Sequence, residues 1–143
     1  MPRVTVVVAG ERRFEASRER VFELLTSPDV IAAAMPAVRS CEVIDADHWL
    51  AKVKPPLPLA PTLTIRFEVV DRRPPDHARM HAHGGGADVS STFDLEADGD
   101  ATVMHWQTEL RLAGVLGKLA GPGGEAVARR QADRTLDEVT RRL

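Results

Sequence analysis

The segment HARMHAH, residues 77–83, carries His77, His81 and His83, and three glycines follow it in GGGADVSS. On an extended strand, residues two apart point to one side, so His81 and His83 share a face with His77. Imidazole is a good zinc ligand and His-x-His can chelate. By strand parity His105 falls on the same face. No cysteine or carboxylate is placed in the sequence to complete a tetrahedral set, and the opposite face carries Ala78, Met80 and Ala82. The spacing therefore predicts a polar, solvated sheet face, and no metal is expected.

The glycines do not form a phosphate loop. Such a loop leads into a helix and supplies a lysine, whereas GGGADVSS leads into alternating residues. A tight turn needs positive φ, which glycine supplies. The expectation is a hairpin. Cys41 reads as a small, half-buried apolar residue of a strand, with no base placed to activate its thiol. Asp45, Asp47 and His48 cluster at a turn, where an acid or base at the rim of an interior site would have to come from. No catalytic residue and no cofactor is nominated.

These groups must be positioned by elements whose order is legible. Residues 4–16 are valine-rich and read as a first strand. Ser17 caps a short helix whose apolar side is Val21, Phe22, Leu24 and Leu25; Arg20 stands where a capping box would have glutamate. A second short helix starts at Ser27 or Pro28 and ends at Pro36. From there the period is two. Trp49, Ala51 and Val53 alternate with lysines, and Leu63, Ile65, Phe67 and Val69 with Arg66 and Glu68. Val89, Ser91, Phe93 and Leu95 form one face of a later strand, and Met104, Trp106, Thr108 and Leu110 one face of the last. PPLPLAP, residues 55–61, is too proline-rich for a central strand and reads as a loop. The tail returns to helical period, with Ala128, Ala132, Leu136, Val139 and Leu143 on one stripe and arginines and acids elsewhere. GPGG, residues 121–124, predicts a kink or a fresh helix start just before it. The result is α+β: an antiparallel sheet of about seven strands, each with one apolar face, and a long C-terminal helix with one apolar stripe to cover it.

Composition narrows the function classes. The chain has 143 residues, 43% hydrophobic and 28% charged, with a net charge of −2. That is most simply one domain. The balance gives no basic field for nucleic acid, and 4% aromatics with no tyrosine give few stacking platforms for bases. One cysteine fits a reducing, cytoplasmic setting. The valine-rich start lacks a cleavage pattern and reads as a strand rather than a leader. No run approaches the roughly 18 apolar residues of a membrane span. The outward strand faces mix histidine, threonine and charge, which suits a monomer or a weak dimer.

GERRFEASRERVFELLTSPDVIAAAMP (residues 10–36), GGGADVSSTFDL (84–95) and TELRLAGVLGKLAG (108–121) together resemble the START-like, or SRPBCC, superfamily, whose fold is the helix-grip also seen in Bet v 1. ASRERVFELLTSPD carries the superfamily likeness. LRLAGVLGKLAG is similar to the carbon monoxide dehydrogenase G-subunit family within it. The chain departs from that family where Pro36-Ala37-Val38 stands in place of Pro-Gly-Cys, and it ends at Leu143 without the anchor-bearing extension of some members. The resemblance implies one START-like domain over 1–143, with two short helices after the first strand and a cavity between the sheet and the long helix. It implies a hydrophobic ligand, lipid or quinone-like, bound without catalysis. An accessory role beside a molybdenum hydroxylase of the carbon monoxide dehydrogenase type is the alternative, and a polyketide cyclase-like enzyme the second.

The expected lining is Trp49, Ala51, Val53, Ile65, Phe67, Met80, Ala82, Ser91, Phe93, Met104, Trp106 and Thr108 from the sheet, with Leu136 and Val139 from the helix. The small residues among them leave space, the methionines adapt, and the hydroxyls of Ser91 and Thr108 could orient a carbonyl. PPLPLAP would be a stiff rim, with GPGG a hinge beside it.

Overall fold

The computed structural model describes residues 4–55, 59–114, 116–117 and 123–143. Its elements run β1 (Val4–Phe14), α1 (Arg18–Leu25), α2 (Pro28–Ala34), β2 (Val38–Asp45), β3 (His48–Val53), β4 (Leu63–Arg73), β5 (His77–Gly84), β6 (Ala87–Asp98), β7 (Ala101–Leu112) and α3 (Gly124–Thr140). The seven strands form one sheet in the order β1-β7-β6-β5-β4-β3-β2. Every pairing is antiparallel. This is the helix-grip architecture.

Local chemistry sets the boundaries. Ser17 accepts a hydrogen bond from the Arg20 amide and starts α1, and Pro28 occupies the first turn of α2. At the other end of α1, Thr26 Oγ1 donates to the Phe22 carbonyl at 2.8 Å. Asp45 Oδ1 accepts from the Asp47 amide and makes the β2–β3 turn. The glycine triplet is a hairpin between β5 and β6. Gly85 and Gly86 have φ of 59° and 90°, the two positive values that a tight hairpin turn demands. A Cβ on Gly84 would also stand 2.3 Å from the Thr64 carbonyl oxygen. Gly123, at φ 91°, caps the fresh start of α3. Gly121 and Pro122, where the sequence predicts a kink or hinge, lie outside the described residues, as do residues 56–58 of the proline-rich segment.

Register stacks the inner faces into rows across the sheet. One row is Phe67, Ala82, Val89, Leu110 and Val6; the next is Val69, Met80, Ser91, Thr108 and Val8; a third is Ala78, Phe93, Trp106 and Gly10. The two ends of this surface differ. At one end α1 and the C-terminal half of α3 pack solidly: Val21, Phe22, Leu24 and Leu25 meet Phe14, Phe93, Leu95, Met104, Leu136 and Val139. At the other, Ile31 of α2 and Leu116 pack with Trp49, Ala51, Ile65 and Phe67. Burying a side chain of this size is worth about 1.5–3 kcal/mol. The apolar stripe of α3 ends sooner than its spacing suggests: the helix stops at Thr140, so Leu143 is exposed.

Two clamps tie α3 to the free edge of β1. Arg129 Nη1 donates to the Ala9 carbonyl at 3.0 Å, and Arg12 is paired with Asp137. A strand edge left open invites pairing with another chain, and the arginine occupies one of its acceptors.

Candidate functional site

Between the N-terminal half of α3 and the middle of the sheet lies a cavity of about 380 Å³. That is within the range of small-molecule sites, roughly 300–1,000 Å³. α3 contributes Gly124, Val127, Ala128, Gln131, Ala132, Thr135 and Leu136. Two alanines one turn apart, Ala128 and Ala132, face the gap with side chains too short to fill it. The sheet contributes the three rows above except Val69, Ala78 and Gly10, and α2 and its exit add Ile31, Met35, Pro36 and Ala37.

Eleven of the residues expected from the sequence stand on the wall: Val53, Ile65, Phe67, Met80, Ala82, Ser91, Phe93, Met104, Trp106, Thr108 and Leu136. Three do not. Trp49 is 1% exposed and stacked on Phe67, ring centroids 5.4 Å apart, so it sits behind the wall rather than on it. Ala51 shares its apolar cluster with Ile31 and Leu116. Val139 is fully buried in the solid end, packed with α1. Period-two alternation gives the face of a residue but not what covers that face.

The wall also holds residues that the sequence did not nominate: Val6 and Val8 of β1, Leu25, Met35, and Val127, Gln131 and Thr135 of α3. In VTVVV every position is apolar or threonine, so alternation carries no signal there. The polar helix residues would have been found only by continuing the Ala128–Ala132 stripe one residue to either side.

Ser91 Oγ and Thr108 Oγ1 are 3.0 Å apart across β6 and β7. Thr135 Oγ1 donates to the Gln131 carbonyl at 2.9 Å, one helical turn back. Among the described lining residues no lysine, arginine, aspartate or glutamate appears, and His81, of outward parity between Met80 and Ala82 on β5, is the one ionisable residue. Its ring stacks on His83 at 5.1 Å, and its Nε2 meets Asp88 at 2.7 Å.

The remaining histidines occupy the outer face beside carboxylates. His77 Nδ1 lies 2.7 Å from Asp94, and His105 lies 3.5 Å from Glu11 and 3.7 Å from Glu96. Among the described residues no group of three histidines, cysteines or carboxylates is arranged to hold a metal ion.

The turn residues do not reach the cavity wall. Asp47 is held by Arg72, whose Nε and Nη2 donate to one carboxylate oxygen at 2.9 and 2.7 Å. His48 lies between Asp45 (2.8 Å) and Glu68 (3.3 Å) on the outer face. The Asp45 hydrogen bond holds the His48 imidazole above its ordinary value, and the same bond holds the Asp45 carboxyl below its own. Cys41 departs from expectation. It is exposed, because β2 is an edge strand with nearly every residue in solvent. Partial burial, and then Asp29, push its thiol up, away from the reactive thiolate.

A seven-stranded antiparallel sheet with a cavity against a long helix is the helix-grip fold of the START type. The chain belongs to the family described as polyketide cyclase / dehydrase and lipid transport, matched over residues 3–143. Among solved structures it is similar to a conserved protein from Geobacillus kaustophilus, with TM-score 0.79 and 18% identity over 97% of this chain and 94% of that one. It is similar too to a START superfamily protein from Mycobacterium smegmatis, with TM-score 0.76 and 11% identity over 95% of each chain. Norcoclaurine synthase from Thalictrum flavum follows, with TM-score 0.68 and 13% identity over 98% of this chain and 94% of that one. At these identities the likeness concerns the fold. No curated protein matches the chain. Among the described residues no helix is long and apolar enough to cross a membrane.

Proposed function

We propose that this protein binds a hydrophobic small molecule, lipid or quinone-like, in the cavity between sheet and α3, and carries it without chemistry. The observation that supports this is the cavity wall: among the described residues it is apolar over almost all its surface, and its one ionisable residue, His81, turns its ring to His83 and Asp88. Apolar surface leaving water drives such binding, and a general acid or base would have to lie within hydrogen-bond reach of a reacting group. Purified protein titrated with the neutral fluorophore N-phenylnaphthylamine should give a saturable rise in emission. Ala132→Phe, which fills the gap under α3, should abolish that rise while leaving thermal stability equal or higher. A wild-type protein that gives no rise removes this reading.

The phrase LRLAGVLGKLAG supports a second reading, an accessory protein of a molybdenum hydroxylase of the carbon monoxide dehydrogenase type. Co-purification of such an enzyme from the native host tests it. The cyclase part of the family description supports a third, a polyketide cyclase-like enzyme, for which Asp45, Asp47 and His48 would have to turn inward from the positions they hold. A cytoplasmic monomer or weak dimer is the state that goes with the carrier reading, and sedimentation at several concentrations checks the oligomeric part.

A further inference from the structure

We propose that the cavity selects an uncharged ligand whose hydroxyl or carbonyl oxygen meets the Ser91–Thr108 pair, and that it rejects the corresponding carboxylate. This rests on the ligand-binding reading above and gives it a chemical class.

The pair occupies the centre of the sheet wall. Ser91 and Thr108 are register partners, with Met80 on one side of their row and Val8 on the other. The neighbouring rows are apolar. Each hydroxyl has one donor and two acceptor lone pairs. The 3.0 Å contact between them uses one donor. One O–H remains to give, along with spare lone pairs, and among the described residues no other hydrogen bond ties either group. A carbonyl can accept that proton, and a ligand hydroxyl can both accept and donate. On the helix wall the polar groups among the described residues are the neutral amide of Gln131 and the Thr135 hydroxyl, which donates to the Gln131 carbonyl.

Positive charge is missing from the described wall. A carboxylate entering this cavity leaves water and meets, among the described lining residues, the spare O–H and the Gln131 amide but no lysine or arginine, and an unpaired buried charge is expensive. Arg12 shares the inner parity of Val6 and Val8 but is paired with Asp137, and Arg129 is committed to the Ala9 carbonyl. Either arginine would have to break its clamp before it could neutralise an acid.

The test is displacement of N-phenylnaphthylamine by dodecanol, dodecanone and dodecanoate, at a pH where the acid is ionised. Dodecanol and dodecanone should displace the fluorophore, with dodecanoate weaker by about tenfold or more. In Ser91→Ala/Thr108→Val the affinities for the alcohol and the ketone should fall about tenfold relative to that for the fluorophore. Dodecanoate competing as well as dodecanol overturns the proposal, as does a double variant that keeps its affinity for the alcohol. The wild-type comparison needs no variant, and Thr108→Ser, which keeps the hydroxyl, should retain the preference. Fluorophore that fails to bind wild-type protein strikes instead at the carrier reading beneath.

Discussion

The indole of Trp106 lies over the bare backbone of Gly10: a Cβ on Gly10 would stand 2.9 Å from Trp106 Cζ2 and 3.1 Å from its Nε1. The two residues are register partners on β1 and β7. Glycine is needed here for close approach, since its φ is not in the left-handed region. Gly10→Val should push the indole off β1 and into the cavity. The expected cost is about 1–3 kcal/mol, as for other overpacking changes. Chemical denaturation measures it, and a shift in tryptophan emission with weakened fluorophore binding should accompany it.

Trp49 behaves as core rather than as site. It is 1% exposed and stacked on Phe67 with 8° between the ring planes. Trp49→Ala should cost about 3–5 kcal/mol, read from the urea midpoint. Trp49→Phe should leave fluorophore affinity nearly unchanged, because the indole stands behind the wall. A large loss of affinity in Trp49→Phe would place that ring on the cavity after all.

The His48–Asp45 pair predicts a pH dependence of defined sign. The folded imidazole titrates above its ordinary 6.5, so its stabilising effect is complete below that value and is lost as pH rises through the raised one. The folded Asp45 carboxyl titrates below its ordinary 3.8, so its effect is present above that value and is lost as pH falls through the lowered one. Both operate between about 3.8 and 6.5. The pair is exposed, and the effect is correspondingly small. His48→Gln should therefore lower the melting temperature most inside that window, and the difference should fade toward alkaline pH. A difference that grows with pH would contradict this assignment.

The sheet was legible because its strands have one wet face. Lys52 and Lys54 beside Trp49, Ala51 and Val53, or Arg66 and Glu68 beside Ile65 and Phe67, declare the inner side at once. β1 was legible as a strand but not by face, since valine occupies both sides of it and its inner members Val6 and Val8 give no alternation to read. The helix was legible as a stripe, but its two halves do different work. Leu136 and Val139 are large and pack closed, while Ala128 and Ala132 are small and leave the gap. All four read as apolar positions of one stripe, and only their size against what faces them separates core from cavity. The exposure of Cys41 was hidden for a related reason: an edge strand looks like a central one until its neighbours are known.

The sheet order also has a consequence in time. β1, the first strand of the chain, finds its partner only in β7, with Val4 opposite Leu112. Every other neighbouring pair in the sheet joins strands consecutive in sequence. The meander from β2 to β7 can zip up through local hairpins, but the first strand must wait for the last. Closing so long a loop is slow relative to hairpin formation. During synthesis β1 is a valine-rich segment with no partner, and the chain is most prone to aggregate in that interval.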